Sequence, residues 1–136
     1  MLALITPIKT RLQALAPLAA WQVCTNTEDA DRTNLPLVDV RCLGAGVSSQ
    51  RVGAVMVDPQ WTVTLISRRG DTTAAELDTV LDAVIGALHG WQPGQHGGRG
   101  WERLALQRIS EPMLVEEGLV GYELTFSTQA LYRGQE

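Results

Sequence analysis

The residues of this sequence best suited to bind a metal ion are His89, His96, Cys24 and Cys42. They form no Cys-x-x-Cys or His-x-x-x-His pair, the spacings that bring two ligands to one metal ion. Two cysteines are also too few for a disulfide framework, which favours a reducing compartment. We interpret the histidines as surface residues and the thiols as core residues, so the sequence predicts no metal site and no cofactor.

Nucleophilic catalysis needs a serine or cysteine beside a base, and no Gly-x-Ser-x-Gly turn presents one here. The segment 44–50 comes closest to a phosphate-binding loop, but it lacks the third glycine and the lysine of that motif. The adjacent carboxylates Glu116 and Glu117 fit a solvated turn better than an acid–base pair. We predict that the chain is not an enzyme, and a hydrolase that uses His96 is the weakest alternative.

Aromatic residues give a stronger signal, because the chain has four tryptophans but only one phenylalanine and two tyrosines. Trp61 alternates with polar residues and is expected in the core. Trp91 and Trp101 flank a glycine-rich segment, residues 90–100, which we expect to form an irregular loop. Tryptophans at the base of a loop often anchor protein contacts. We therefore predict that Trp91 and Trp101 lie in an interface, with burial of both in the core as the alternative.

The clearest strand pattern spans residues 119–132, where apolar and polar residues alternate. Val120, Tyr122, Leu124 and Phe126 share the apolar face. The opposite face carries polar residues that suit hydrogen bonds across subunits, namely Glu123, Thr125, Ser127 and Gln129. We predict that these four residues also contribute to a subunit or partner interface.

Two helices are expected to support these strands. Apolar residues at helical spacing indicate a first helix over residues 2–15, with Pro7 in its first turn. The second helix has a capping-box sequence from Thr73 to Glu76 and an apolar stripe up to Leu88. Gly90 provides its stop signal.

Apolar and alternating segments predict strands at residues 21–24, 37–43, 51–57, 60–68, 101–109 and 119–132. Asp58-Pro59 is either a turn or a bulge within one long strand. Polar or glycine-rich residues predict loops at 25–34, 44–50 and 90–100, and a turn at 116–118. This order predicts one α+β domain over residues 1–136, with a mostly antiparallel sheet of four to six strands and two helices on one face.

The composition of the chain argues against two classes of partner, nucleic acids and membranes. The formal net charge is −4 and no basic run occurs among the 11 cationic residues, which argues against tight nucleic-acid binding. No stretch approaches the roughly 20 apolar residues of a membrane span, and no signal-peptide pattern opens the chain. We expect a soluble protein made in the cytoplasm that does not bind membranes.

Taken together, these elements resemble the phage tail terminator, or tail completion, family. The resemblance rests on the opening helix, on Gly-Trp-x-Pro at residues 90–93 after the second helix, and on the final strand that runs to Tyr132-Arg133. Residues 50–68, a polar lead-in to a strand containing Trp61, also fit. The likeness covers most of the chain in order and spacing.

The resemblance implies a structural virion protein that forms a ring, of six subunits, at the head-proximal end of the tail tube. Such a ring stops tail polymerisation and offers a joining surface to the head–tail connector. Its implied partners are further copies of itself, the tail tube protein, the connector and, in a contractile tail, the sheath protein. DNA would only pass through the lumen. The implied location is the neck end of the virion tail, after synthesis in the host bacterial cytoplasm.

A different class of function is kept as the alternative. In that hypothesis the chain is a small cytosolic α+β ligand-binding module, and the glycine-rich segment 90–100 is its binding loop.

Overall fold

The computed structural model describes residues 1–25, 35–112 and 118–135. It contains two α-helices, α1 (Ile5–Gln13) and α2 (Thr73–Leu88). The eight strands are β1 (Gln22–Thr25), β2 (Leu37–Arg51), β3 (Ala54–Arg68), β4 (Gly94–His96), β5 (Arg99–Trp101), β6 (Ala105–Ser110), β7 (Leu119–Ser127) and β8 (Ala130–Arg133). Residues 26–34 of the predicted polar loop and the predicted turn residues Glu116 and Glu117 lie outside the described residues.

Six strands form one sheet in the order β1–β2–β3–β7–β6, and β8 pairs with the first residues of β3. The β1–β2 pair is parallel and the other pairs are antiparallel. Both helices pack on the same face, where their apolar residues meet those of β2, β3 and β7 in one core cluster. The predicted α+β class, the six-stranded and mostly antiparallel sheet, and the helices on one face are confirmed.

The first predicted helix is shorter than its sequence pattern. A 3-10 turn at Leu2–Leu4 precedes α1, and a second one at Ala16–Leu18 follows it. Pro7 lies in the first turn of α1, where its missing N–H removes no helical hydrogen bond. Ile8 and Leu12 face the core. Pro17 belongs to the second 3-10 turn rather than to α1.

The second helix has the predicted extent, but its predicted capping box is wrong. Thr73 is the first helical residue, and its hydroxyl donates to the carbonyl oxygen of Arg68 over 2.8 Å. The residue before it, Thr72, takes the N-cap position and donates its hydroxyl to Glu76 Oε1. Gly90 follows the helix with φ of +80°, a left-handed conformation that glycine adopts easily, so the predicted stop signal is confirmed.

The predicted loop at residues 44–50 is wrong, because this segment is part of β2. Pairing continues from Leu37 to Arg51, with register shifts at Leu43 and Ser48. The glycine at position 44 has φ of +119°, a conformation that suits the first bulge. Asp58-Pro59 is not a turn, since β3 runs through it as one strand of 15 residues. It is not a bulge either, because both residues are paired and the register shifts fall in β2.

The predicted irregular loop at residues 90–100 is also wrong. Its glycines form a hairpin of β4 and β5, in which Gly97 and Gly98 have φ of +65° and +78°. Positive φ at both central residues is the type I′ arrangement, which matches the twist of a two-residue hairpin. The predicted strand at 101–109 is split accordingly, because Trp101 ends β5 and β6 begins at Ala105.

The predicted last strand is divided by Thr128 and Gln129 into β7 and β8. Thr128 donates its hydroxyl to the carbonyl oxygen of Glu102 over 2.7 Å, and the backbone N–H of Glu102 donates to the carbonyl oxygen of Gln129. These bonds replace sheet pairing at the break. As a result β7 pairs with the second half of β3 and β8 with its first residues.

Candidate functional site

Trp101 is a core residue, the alternative that the sequence had left open. Its side chain is 2% exposed, and its indole N–H donates to the carbonyl oxygen of His96 over 3.0 Å. The ring meets Tyr132 edge to face, with centroids 6.3 Å apart. Trp101 therefore holds the β4–β5 hairpin against β8, and its ring is not exposed on the surface of the folded chain.

Tyr132 receives two further contacts at this end of the sheet. The amino group of Met1 donates to the phenol oxygen over 2.6 Å, and the guanidinium carbon of Arg99 lies 3.7 Å from the ring centroid. Burial, and to a smaller extent the charge of Arg99, lower the pKa of the Met1 amino group. Met1, the β4–β5 hairpin and β8 are thus held together by contacts with the ring and hydroxyl of Tyr132.

Trp91 is half-buried and lies at a groove between α1 and α2. The guanidinium carbon of Arg11 is 4.8 Å from the indole centroid, and Arg11 Nε donates to the carbonyl oxygen of Ala87 over 2.6 Å. The groove has a volume of about 890 Å³ and is lined mainly by small residues of the two helices, with His96 at its edge. Of the two tryptophans predicted in an interface, Trp91 alone has a partly exposed ring.

Both histidines make hydrogen bonds to the backbone. His89 Nδ1 accepts from the backbone N–H of Leu106 over 3.0 Å, and His96 Nε2 lies 2.8 Å from the carbonyl oxygen of Pro93. Cys24 is buried and Cys42 is half-buried, and neither is in a disulfide. The described part of the chain holds no group of three or more side chains able to share a metal ion. No helix within it is long and apolar enough to cross a membrane.

Glu123, Thr125 and Ser127 lie on the sheet face opposite the helices, as their alternation with the core residues Leu124 and Phe126 predicts. Register places them beside Thr64, Thr62 and Gln60 of β3, respectively. Thr64 Oγ1 is 3.5 Å from Glu123 Oε2. This polar face, which we call the open face, therefore extends over at least two neighbouring strands.

The open face continues onto β2, where Asp39 pairs with Thr64 and Arg41 with Thr62. Arg41 Nε donates to Asp39 Oδ2 over 2.8 Å. This hydrogen bond, and then the negative charge of Asp39, raise the pKa of Arg41 above its ordinary value. The other carboxylate oxygen, Oδ1, is buried and has no hydrogen-bond partner among the described residues.

Gln129 is separated from the other three predicted residues, because it lies in the break between β7 and β8. It shares a polar groove of about 540 Å³ with Ser127, whose hydroxyl accepts from Gln107 Nε2 over 2.9 Å. Asp58, Gln60, Glu102 and Arg103 are among the other lining residues. The structure therefore brings Ser127 and Gln129 together at one edge of the open face.

One surface was missed by sequence reasoning, the distal half of the β2–β3 hairpin, which we call the arm (residues 43–57). Its apolar side chains at Leu43, Val47 and Val52 are 62%, 52% and 85% exposed. The signal was hidden because two bulges interrupt the alternation of residues 44–51, and glycines at 44 and 46 resemble loop composition. Three exposed apolar residues on one hairpin make the arm a candidate contact surface.

Solved structures with this fold exist. A chain from the virion of the native gene transfer agent particle superposes with a TM-score of 0.65 at 17% sequence identity, over 93% of this chain and 92% of that one. A second solved structure, whose description states no function, has a TM-score of 0.62 at 15% identity, over 98% and 94% of the two chains. At these identities the likeness shows a shared fold.

Sequence comparison supplies the family. No curated protein sequence matches the chain significantly. A sequence model of the phage tail terminator proteins, in contrast, matches residues 43–136, from the first residue of the arm to the last residue of the chain. This match covers more than half of the chain, which therefore belongs to the phage tail terminator family of tail structural proteins.

Proposed function

We propose that this protein forms a ring of six subunits that caps the head-proximal end of the tail tube. The ring stops addition of further tube subunits and presents a joining surface to the head–tail connector. The observation that carries this proposal is the match of the terminator family over residues 43–136. In this role the chain acts by binding and shape, without catalysis.

The open face and the groove beside it are the surfaces that we assign to subunit or partner contacts. Glu123, Thr125 and Ser127 offer hydrogen-bonding groups on a regular sheet, and Gln129 adds an exposed side chain at its edge. A polar surface of this kind suits a subunit that must be soluble before assembly and must bind specifically afterwards. Trp91 contributes a partly exposed aromatic ring at the groove between α1 and α2.

Further partners follow from the position of the ring. One side contacts the tail tube protein and the other the connector, and in a contractile tail the sheath protein adjoins the ring. Genomic DNA passes through the lumen without specific binding, which agrees with the net charge of −4 and the absence of basic runs in the sequence. The protein is made in the host bacterial cytoplasm and is then incorporated into the virion tail.

Mass measurement and electron microscopy of the purified protein test this proposal. We expect rings with six times the 14.8 kDa mass of one chain, either alone or after addition of tail tubes. Tubes that carry the ring should no longer elongate when fresh tube protein is added. A protein that remains monomeric beside tube ends, and leaves elongation unchanged, would disprove the proposal.

A variant of the open face tests its role separately. Thr125→Arg places a long cation on the outer side of β7, where the threonine is half-buried and the neighbouring strand carries Arg108 at the paired position. We expect a folded monomer with reduced ring formation. The matched control is Gln13→Arg on the exposed side of α1. Equal ring formation by both variants would remove the open face from the interface.

The ligand-binding alternative rested on the interpretation of residues 90–100 as an irregular binding loop, which the structure does not contain. Residues 94–101 form a hairpin whose turn glycine Gly97 lies close to the side chain of Ala3. Within it, the indole N–H of Trp101 donates to the carbonyl oxygen of His96. We therefore propose the ring function alone.

A further inference from the structure

The outer edge of the arm has no strand beside it among the residues that the structure describes. β1 covers β2 only at residues 37–40, and residues 44–51 pair with β3 on their other side. Residues 45–51 are all exposed. An open edge of this length presents a row of backbone N–H and C=O groups to which another strand can pair.

The arm has two bulges, at Leu43 and Ser48, but it lacks the other features that normally protect such an edge. Residues 43–50 contain no charged residue and no proline, and Leu43 and Val47 are exposed apolar residues. Proteins that leave an edge open usually shorten it or place lysine or proline on it. β1 and β8 illustrate the first device, since each has only four residues. An edge of eight residues without charge or proline is expected to be covered in the working assembly.

The last strand of the sheet, β6, offers a complementary edge. It pairs with β7 on one side, and Ile109 is 43% exposed. His89 accepts the N–H of Leu106 at the start of β6, which leaves residues 107–110 for a further strand. Because β2, β3, β7 and β6 alternate in direction, β6 runs opposite to β2. Two copies placed edge to edge in the same orientation would therefore pair the arm antiparallel to β6.

We propose that residues 44–51 of the arm pair with β6 of a second copy of this chain, joining the sheets of neighbouring subunits. The contact uses two different edges, so every subunit has one arm and one β6 edge to offer. A head-to-tail contact of this kind repeats from subunit to subunit, and it closes into a ring when the rotation between neighbours completes a full turn. The inference rests on the proposed ring and adds the surface that builds it.

Two lysine variants and their mixture test this pairing. Val47→Lys places a charge on the arm edge and Ile109→Lys places one on the β6 edge, and both positions are exposed in the folded chain. Each variant alone should be a folded monomer, with self-association weakened by about tenfold or more per contact. Mixed together, they should form a dimer and nothing larger, because one intact arm can still pair with one intact β6. Gln13→Lys, an exposed change of equal charge on α1, should assemble like the unmodified protein.

Analytical ultracentrifugation separates the outcomes, with circular dichroism as the check on folding. Rings formed equally well by both lysine variants would overturn the pairing while leaving the proposed function intact. Association that is lost in Val47→Lys but kept in Ile109→Lys alone would also overturn it, since the arm would then pair with another arm and not with β6. If the unmodified protein forms chains or dimers that obey the mixing rule but never rings, the pairing stands and the ring fails. A protein that stays monomeric even in the presence of tail tube ends overturns both.

Discussion

Arg11 lies over the ring of Trp91, 4.8 Å from its centroid, and the same side chain donates to the carbonyl oxygen of Ala87 near the end of α2. One side chain of α1 thus contacts both α2 and Trp91, which lies three residues beyond the end of that helix. Both residues line the groove between the helices, and the indole is half-buried.

Trp91→Ala should give a folded protein, because the ring lies at the margin of the core. We expect a loss of about 2 kcal/mol in the free energy of unfolding. In a double-mutant cycle with Arg11→Met, which keeps most of the aliphatic stem, the coupling energy should be about 0.5–1 kcal/mol. Urea unfolding of the four proteins measures both values. Additive effects would show that the stacking contributes nothing to stability.

Trp101→Ala should behave differently, although Trp101 flanks the same segment. Its ring is fully packed and its N–H is bonded to His96, so removal should cost about 3–5 kcal/mol in the free energy of unfolding. Trp101→Phe, which keeps most of the volume and loses the hydrogen bond, is the milder comparison. Thermal melting followed by circular dichroism ranks them. A Trp101→Ala protein as stable as Trp91→Ala would contradict this assignment.

Gly121→Ala should destabilise the sheet strongly. Gly121 pairs with Ile66, and a Cβ at this position would overlap the carbonyl oxygen of Leu65. Since the obstacle is backbone, relief requires movement of β3 or β7, and we expect a loss of at least about 2 kcal/mol.

A second glycine provides the control for this effect. Nothing lies near the position that a Cβ would take at Gly86, inside α2, so Gly86→Ala should stabilise the protein by about 0.5–1 kcal/mol. Chemical denaturation midpoints of the two variants should shift in opposite directions. A tolerated alanine at position 121 would show that β3 and β7 separate more easily than their register indicates.

Replacement of the histidines and cysteines tests the absence of catalysis. His89→Ala, His96→Ala, Cys24→Ala and Cys42→Ala should all leave tail capping intact, as long as the proteins fold. His89→Ala frees an exposed N–H that water can bond, whereas Cys24→Ala opens space in the core and should cost about 1–3 kcal/mol. Tail length and infectivity are the readouts, with melting temperature measured alongside. A folded His96→Ala protein that loses capping would indicate a site at the groove.

The local sequence pattern was sufficient to predict a helix or strand wherever one face of that element is buried and the other is exposed to solvent. The apolar stripe of α2 and the alternation around Leu124 and Phe126 each report a single buried face, so the element, its orientation and the fold class could be predicted from sequence. The order of these elements also carried the family resemblance that the sequence match confirms.

Tertiary structure decided two features that the local sequence pattern leaves open, the conformation of the first half of the arm and the burial of two tryptophans. Residues 44–50 have loop composition and become a strand because β3 provides a ladder beside them. Trp91 and Trp101 flank one segment with similar local sequence, and their burial differs because Arg11 covers one while the hairpin and Tyr132 enclose the other. The burial of each tryptophan depends on residues distant in sequence, which come together only when α1, the hairpin and β8 pack. The sequence immediately around either tryptophan therefore cannot predict it.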